Sequence, residues 1–66
     1  MNLPKLKGKI LEMDKTYADC ASALGISVTA FSNKINDKSK FYIDELEKLG
    51  DYLSMSSDER NTIFLN

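Results

Sequence analysis

The run Leu24-Gly25-Ile26-Ser27 constrains this chain more than any other. Upstream of it, Tyr17, Cys20, Ala21 and Leu24 recur at i, i+3, i+4 and i+7, the spacing of one apolar stripe on a helix. Thr16 stands ahead of the stripe with Asp19 three residues later, so the hydroxyl can accept from the Asp19 amide while the acid suits the positive helix end. Gly25 can take a left-handed backbone at little steric cost and stop the helix there. Ile26 is expected to turn inward, and Ser27 is a natural N-cap for a second helix. Ala21 is small, as a close crossing of two helices requires. The spacing therefore predicts a helix-turn-helix over about residues 16–36.

The second helix is expected from about Val28 to Asn36. Phe31 and Ile35 lie one turn apart and face the core. At about 100° per residue, Thr29, Ser32, Asn33 and Asn36 fall on the opposite face. A merely solvated face would favour Lys, Glu, Gln and Arg. Ser, Thr and Asn each cost roughly half a kcal/mol against Ala. They make a weak helix surface but a good reader of base edges, because hydroxyls and amides donate and accept and a Thr methyl can meet the thymine methyl. The plainer alternative is a solvated face held in helix by tertiary packing.

The remaining segments read as scaffold. Leu3, Leu6, Ile10 and Met13 share one helical face, Asn2 can cap that helix, and Pro4 is tolerated in its first turn. Lys5, Lys7 and Lys9 lie off this stripe, where they can touch phosphates. Residues 37–40 form a polar loop. Tyr42, Leu46, Leu49 and Leu53, with Ile43 beside them, predict a helix from about Tyr42 to Leu53 that covers the helix-turn-helix, and Gly50 allows close packing there. Asp44, Glu45 and Glu47 read as its solvated start. Ser54 to Ser57 is a turn, with Ser56 or Ser57 capping a last short helix. Ile63 is expected to close the core, while Phe64 and Leu65 remain open between core and a second copy. The fold class is all-α: one domain, residues 1–66, of four to five short helices.

The chain resembles the Cro/CI-type, XRE-like helix-turn-helix repressors of phages and bacteria. The resemblance rests on Thr16, Ala21, Leu24-Gly25-Ile26-Ser27, Phe31-Ser32 and Lys34-Ile35-Asn36, and extends to residues 5–10 and to Ile63-Phe64. It implies a lambda-repressor-like fold, binding to double-stranded operator DNA as a homodimer, and transcription as the output. The chain departs from the family pattern in two respects. Tyr17 stands where Gln is common, and can either donate to a phosphate or simply pack. Val28 and Thr29 stand where Arg, Lys or Gln is common, which speaks against bidentate guanine readout and towards thymine methyls, adenine and shape. The expected base contacts are Ser27, Val28, Thr29, Ser32, Asn33 and Asn36. The expected phosphate contacts are Lys34, Lys38 and Lys40, with Tyr17 and Lys9.

Charge and composition bound this reading. The net charge is −1, and the pI near 5.2 alone weighs against nucleic acid. Residues 1–40, however, carry seven lysines against four acids, for +3, and residues 41–66 two basic residues against six acids, for −4. A basic helix-turn-helix half and an acidic tail half can orient the molecule on phosphate. A 42% apolar share suits a folded domain. The chain lacks a long apolar run and a signal-peptide pattern, so a cytoplasmic protein without a membrane span is expected. One cysteine allows no intrachain disulfide, and with no histidine speaks against structural zinc; no cofactor is expected. There is no phosphate-cradling glycine loop, nucleophile elbow or acid pair in a plausible pocket, so neither an enzyme nor a small-molecule substrate is expected. The other readings are an antirepressor or adaptor that keeps the shape without DNA binding, and an antitoxin-like regulator that also holds a protein partner.

Overall fold

The structure, a computed structural model, describes residues 1–65. Five helices follow one another: α1 Leu3–Glu12, α2 Tyr17–Leu24, α3 Val28–Ile35, α4 Ile43–Tyr52 and α5 Ser57–Phe64. There is no strand among the described residues, and the architecture is all-α. α2 packs on α3 and α4, and α1 bridges α3 and α5.

Each helix begins where a local hydrogen bond satisfies its first free amides. Asn2 Oδ1 accepts from the Lys5 amide at 3.1 Å. Thr16 and Asp19 cap reciprocally: the Asp19 amide donates to Thr16 Oγ1 at 3.1 Å and the Thr16 amide to Asp19 Oδ2 at 2.9 Å. Ser27 Oγ accepts from the Ala30 amide at 3.0 Å. Ser56, not Ser57, caps α5, its hydroxyl accepting from the Glu59 amide at 3.1 Å. The Tyr42 amide donates to Glu45 Oε1 at 2.8 Å, so a side chain one turn inside α4 holds its N-cap residue.

The first four helices end alike. Each closes with a residue at positive φ and a pair of backbone bonds that turn the chain back: Asp14 (57°), Gly25 (72°), Asp37 (62°) and Ser54 (53°). In α2 the Gly25 amide bonds Ser22 O at 3.1 Å and the Ile26 amide Ala21 O at 3.0 Å. In α4 the Ser54 amide bonds Asp51 O at 3.1 Å and the Met55 amide Gly50 O at 2.9 Å. This doubly bonded ending satisfies carbonyls that the helix leaves open. The one glycine among the four has open space around its missing Cβ, so the cost of a side chain there is backbone strain alone. We expect Gly25→Ala to lose about 1 kcal/mol and Ser54→Gly to gain about 0.5 kcal/mol, read as opposite shifts of the urea midpoint.

The core comprises Leu6, Ile10, Cys20, Ala21, Leu24, Phe31, Ile35, Leu49, Leu53, Met55 and Ile63. Phe31 is its largest fully buried side chain and sits between the Tyr17 ring at 5.5 Å and the Phe41 ring at 5.8 Å, both tilted towards edge contact. The start of α4 departs from the expected stripe. Tyr42 is 68% exposed and Ile43 77% exposed. Tyr42 precedes the first helical turn, so its side chain leaves the stripe, and Phe41 packs against the core in its place. Glu45, expected on a solvated start, is buried. Met55, expected in a turn, is buried because the α4 ending folds it back beneath the helix. Gly50 makes the expected close approach: a Cβ there would lie 2.8 Å from the Arg60 guanidinium carbon. That guanidinium bonds Asp51 Oδ1 at 2.9 Å and Met55 O at 3.0 Å. Ile63 is buried, Phe64 half-buried and Leu65 exposed.

Candidate nucleic-acid interface

α3 divides into two flanks. Phe31 and Ile35 have no exposed surface. Thr29 and Asn33 are exposed, Ser32 is half-buried, and Ser27 and Val28 are exposed at the leading end. Ser27 uses its oxygen as the cap acceptor, which leaves its hydroxyl proton free to donate outward. The sequence-expected polar flank is therefore present as a surface, not covered by the protein's own side chains.

Asn36 differs from its neighbours. It is the C-cap of α3 and both ends of its carboxamide are engaged. Nδ2 donates to Ser32 O at 2.9 Å and lies 3.4 Å from Ser32 Oγ, while Oδ1 accepts from Lys7 Nζ at 3.1 Å. Lys7 lies on α1, 29 residues away in sequence, so no local pattern could have paired them.

The lysines separate into groups. Lys38 is exposed and has no ion-pair partner among the described residues. The Lys40 side chain is exposed and 3.7 Å from Asp37. Both ride on a loop fastened to the end of α3, where Asn33 O accepts from the Lys38 amide at 2.8 Å and the Ser39 amide at 3.3 Å.

Two expected phosphate contacts are turned inward instead. Lys34 is buried: its ammonium bonds Glu45 Oε1 at 2.9 Å and Lys40 O at 3.0 Å, and lies 4.4 Å from the centre of the Tyr42 ring. Both side chains of the Lys34–Glu45 pair are only 10% exposed. Lys34 occurs three residues after Phe31 and beside Ile35, at the margin of the buried flank. Its stem is covered by packing, and its charge requires an acid. Lys9 joins α1 to α5, 2.8 Å from Glu59 and 3.4 Å from Glu12, with an 11% exposed side chain. Glu59 raises the Lys9 pKa above the ordinary lysine value, and Lys9 holds the Glu59 carboxyl below the ordinary value. Tyr17, left open between phosphate and packing, is half-buried with its ring on Phe31.

At the first turn of α2, the Thr16 backbone N–H holds the Asp19 carboxyl below its ordinary range. Burial pushes the Cys20 thiol up to about 11, so it remains a neutral core group. No helix among the described residues is long and apolar enough to cross a membrane.

Fold and surface together define a small five-helix domain carrying a helix-turn-helix whose second helix turns a polar flank outward. The chain belongs to the family described as "Protein of unknown function (DUF739)", which it matches over residues 1–66. No curated protein and no solved structure matches it.

Proposed function

We propose that this chain is a sequence-specific DNA-binding regulator of transcription, a repressor of the Cro/CI type, that places α3 in the major groove. The observation that carries the reading is the split of α3: Phe31 and Ile35 fully buried, Thr29 and Asn33 exposed opposite them, and Ser27 and Val28 exposed at its leading end. A helix of this width fits the groove, and its N-terminal residues are the ones that reach base edges in such docking. Thr29, Ser32 and Asn33 then read bases, and Lys38 and Lys40 hold phosphates. Phosphate contacts set affinity and register, while base contacts set preference. The protein acts by occupancy in the cytoplasm, covering a promoter, and needs no catalysis or cofactor.

We expect Asn33→Ala to relax sequence preference at a cost of roughly 1–3 kcal/mol, and Lys38→Ala to weaken all sequences alike with a salt slope shallower by about one unit. Gel shifts on selected and scrambled duplexes separate the two. If Asn33→Ala lowers both equally, its base-reading role is lost. The reading also includes two copies on a palindrome, with half-sites about 34 Å apart. The face assigned to the second copy is the apolar groove of the acidic half, lined by Ile43, Leu46, Phe64 and Leu65. Selection of bound fragments from random DNA reports binding, half-site and spacing together. The rival reading, a protein-interaction module on the same scaffold, also draws on that groove. It predicts no shift of mixed genomic fragments at low salt.

A further inference from the structure

We propose that Lys7 of α1 is a phosphate-holding cation of the α3 surface, and that Asn36 aims it rather than reading a base. The inference rests on the DNA-binding reading and deepens it. It moves Asn36 from the base contacts to a positioning role.

Three observations carry it. First, Lys7 is exposed, and its ammonium is held 3.1 Å from Asn36 Oδ1 at the C-terminal end of α3. Asn36 is itself fixed by its 2.9 Å donation to Ser32 O. The amine is thus brought from a different helix to the edge of the polar flank. Second, its partner is neutral. Lys9, Lys34, Lys40 and Arg60 each face a carboxylate, whereas among the described residues Lys7 has none within ion-pair distance. Its charge is held in place without being cancelled. An ammonium has three donors, so the bond to Asn36 leaves donors for a phosphate oxygen. Third, the position suits a groove wall. The N-terminal residues of a recognition helix reach base edges, and its far end runs out towards the backbone. The groove is about 12 Å wide and a helix with its side chains about 10–12 Å across, so a cation flanking the far end meets phosphate.

With its carboxamide engaged at both ends, Asn36 is poorly placed to present a donor and an acceptor together to adenine. It is well placed to hold the Lys7 amine outward and the end of α3 closed.

The experiment measures binding of the full chain to a fluorescein-labelled random-sequence duplex by anisotropy, between about 50 and 200 mM salt. The variants are Lys7→Gln, Lys7→Arg, Asn36→Asp and, as the reference phosphate contact, Lys38→Gln. Thermal melts run beside each. Expected for Lys7→Gln is weaker binding and a log–log salt slope shallower by about one unit, as for Lys38→Gln. Lys7→Arg keeps the slope. Asn36→Asp, which sets a carboxylate against Lys7, reproduces the Lys7→Gln slope without removing the lysine. An unchanged slope in Lys7→Gln, alongside a shallower one in Lys38→Gln, overturns the proposal and leaves DNA binding standing. Absence of binding by the parent protein at the lowest salt removes the DNA-binding reading itself, and this inference with it.

Discussion

Truncating Phe31 to alanine should cost about 3–5 kcal/mol, a large share of the net stability of a chain this small. The ring is fully buried and lies between Tyr17 of α2 and Phe41 of the loop before α4. It thus joins three segments of the helix-turn-helix region at one point. Removing it forfeits the transfer energy of a large apolar side chain, leaves a void, and breaks two aromatic contacts worth about 0.5–1.5 kcal/mol each. The loss is severe because a chain of this size has roughly 3–10 kcal/mol of net stability at the usual per-residue scale. Urea unfolding followed by far-ultraviolet circular dichroism checks it. A loss below about 1.5 kcal/mol would mean that neighbouring side chains collapse into the space and that Phe31 is not the keystone of the core.

Removing one member of the Lys34–Glu45 pair is the second large effect. Glu45→Ala strands a buried ammonium with the Lys40 carbonyl and the Tyr42 ring as its remaining contacts, and also frees the Tyr42 amide. Breaking such a pair costs about 3–5 kcal/mol; we expect the lower end, since each side chain keeps a tenth of its surface in water. Replacing both partners, as Lys34→Met with Glu45→Leu, should fall within about 1 kcal/mol of the parent, because the pair's attraction mainly offsets its own desolvation. The contrast between single and double variants in a thermal or urea melt is the test. Two single variants each costing under 1 kcal/mol would place the pair in effective contact with solvent.

The apolar periodicity exposed most of the core. Leu6 and Ile10, Cys20 and Leu24, Phe31 and Ile35, Leu49 and Leu53 all lie where their spacing puts them. The capping chemistry of Thr16 with Asp19 and of Ser27 was equally readable, because each involves residues three apart; for α5 the pattern left Ser56 and Ser57 open, and the fold selects Ser56. The other helix ends were harder. Gly25 announces its left-handed turn, but Asp14, Asp37 and Ser54 adopt the same backbone without a glycine to signal it. Their conformation is imposed by the bonds that close each turn. Lysines were the least legible. In sequence, Lys9, Lys34 and Lys38 are three similar residues off the main apolar stripes. Their environments differ because Glu59 and Glu45 arrive from distant segments, and no local pattern encodes that arrival. The candidate surface was accordingly readable where it depends on the α3 period, at Thr29, Ser32 and Asn33. It was unreadable where it depends on tertiary neighbours, at Lys34 and in the pairing of Lys7 with Asn36.

The inward turn of Lys34 has a consequence beyond stability. By gripping the Lys40 carbonyl and Glu45 together, it rivets the connecting strip after α3 to the frame of α4, while Asn33 O secures the strip's other end. The backbone that carries Lys38 and Lys40 is thereby held in place. On the proposed DNA-binding reading, association at this strip forfeits little backbone entropy and resembles rigid docking more than folding on contact.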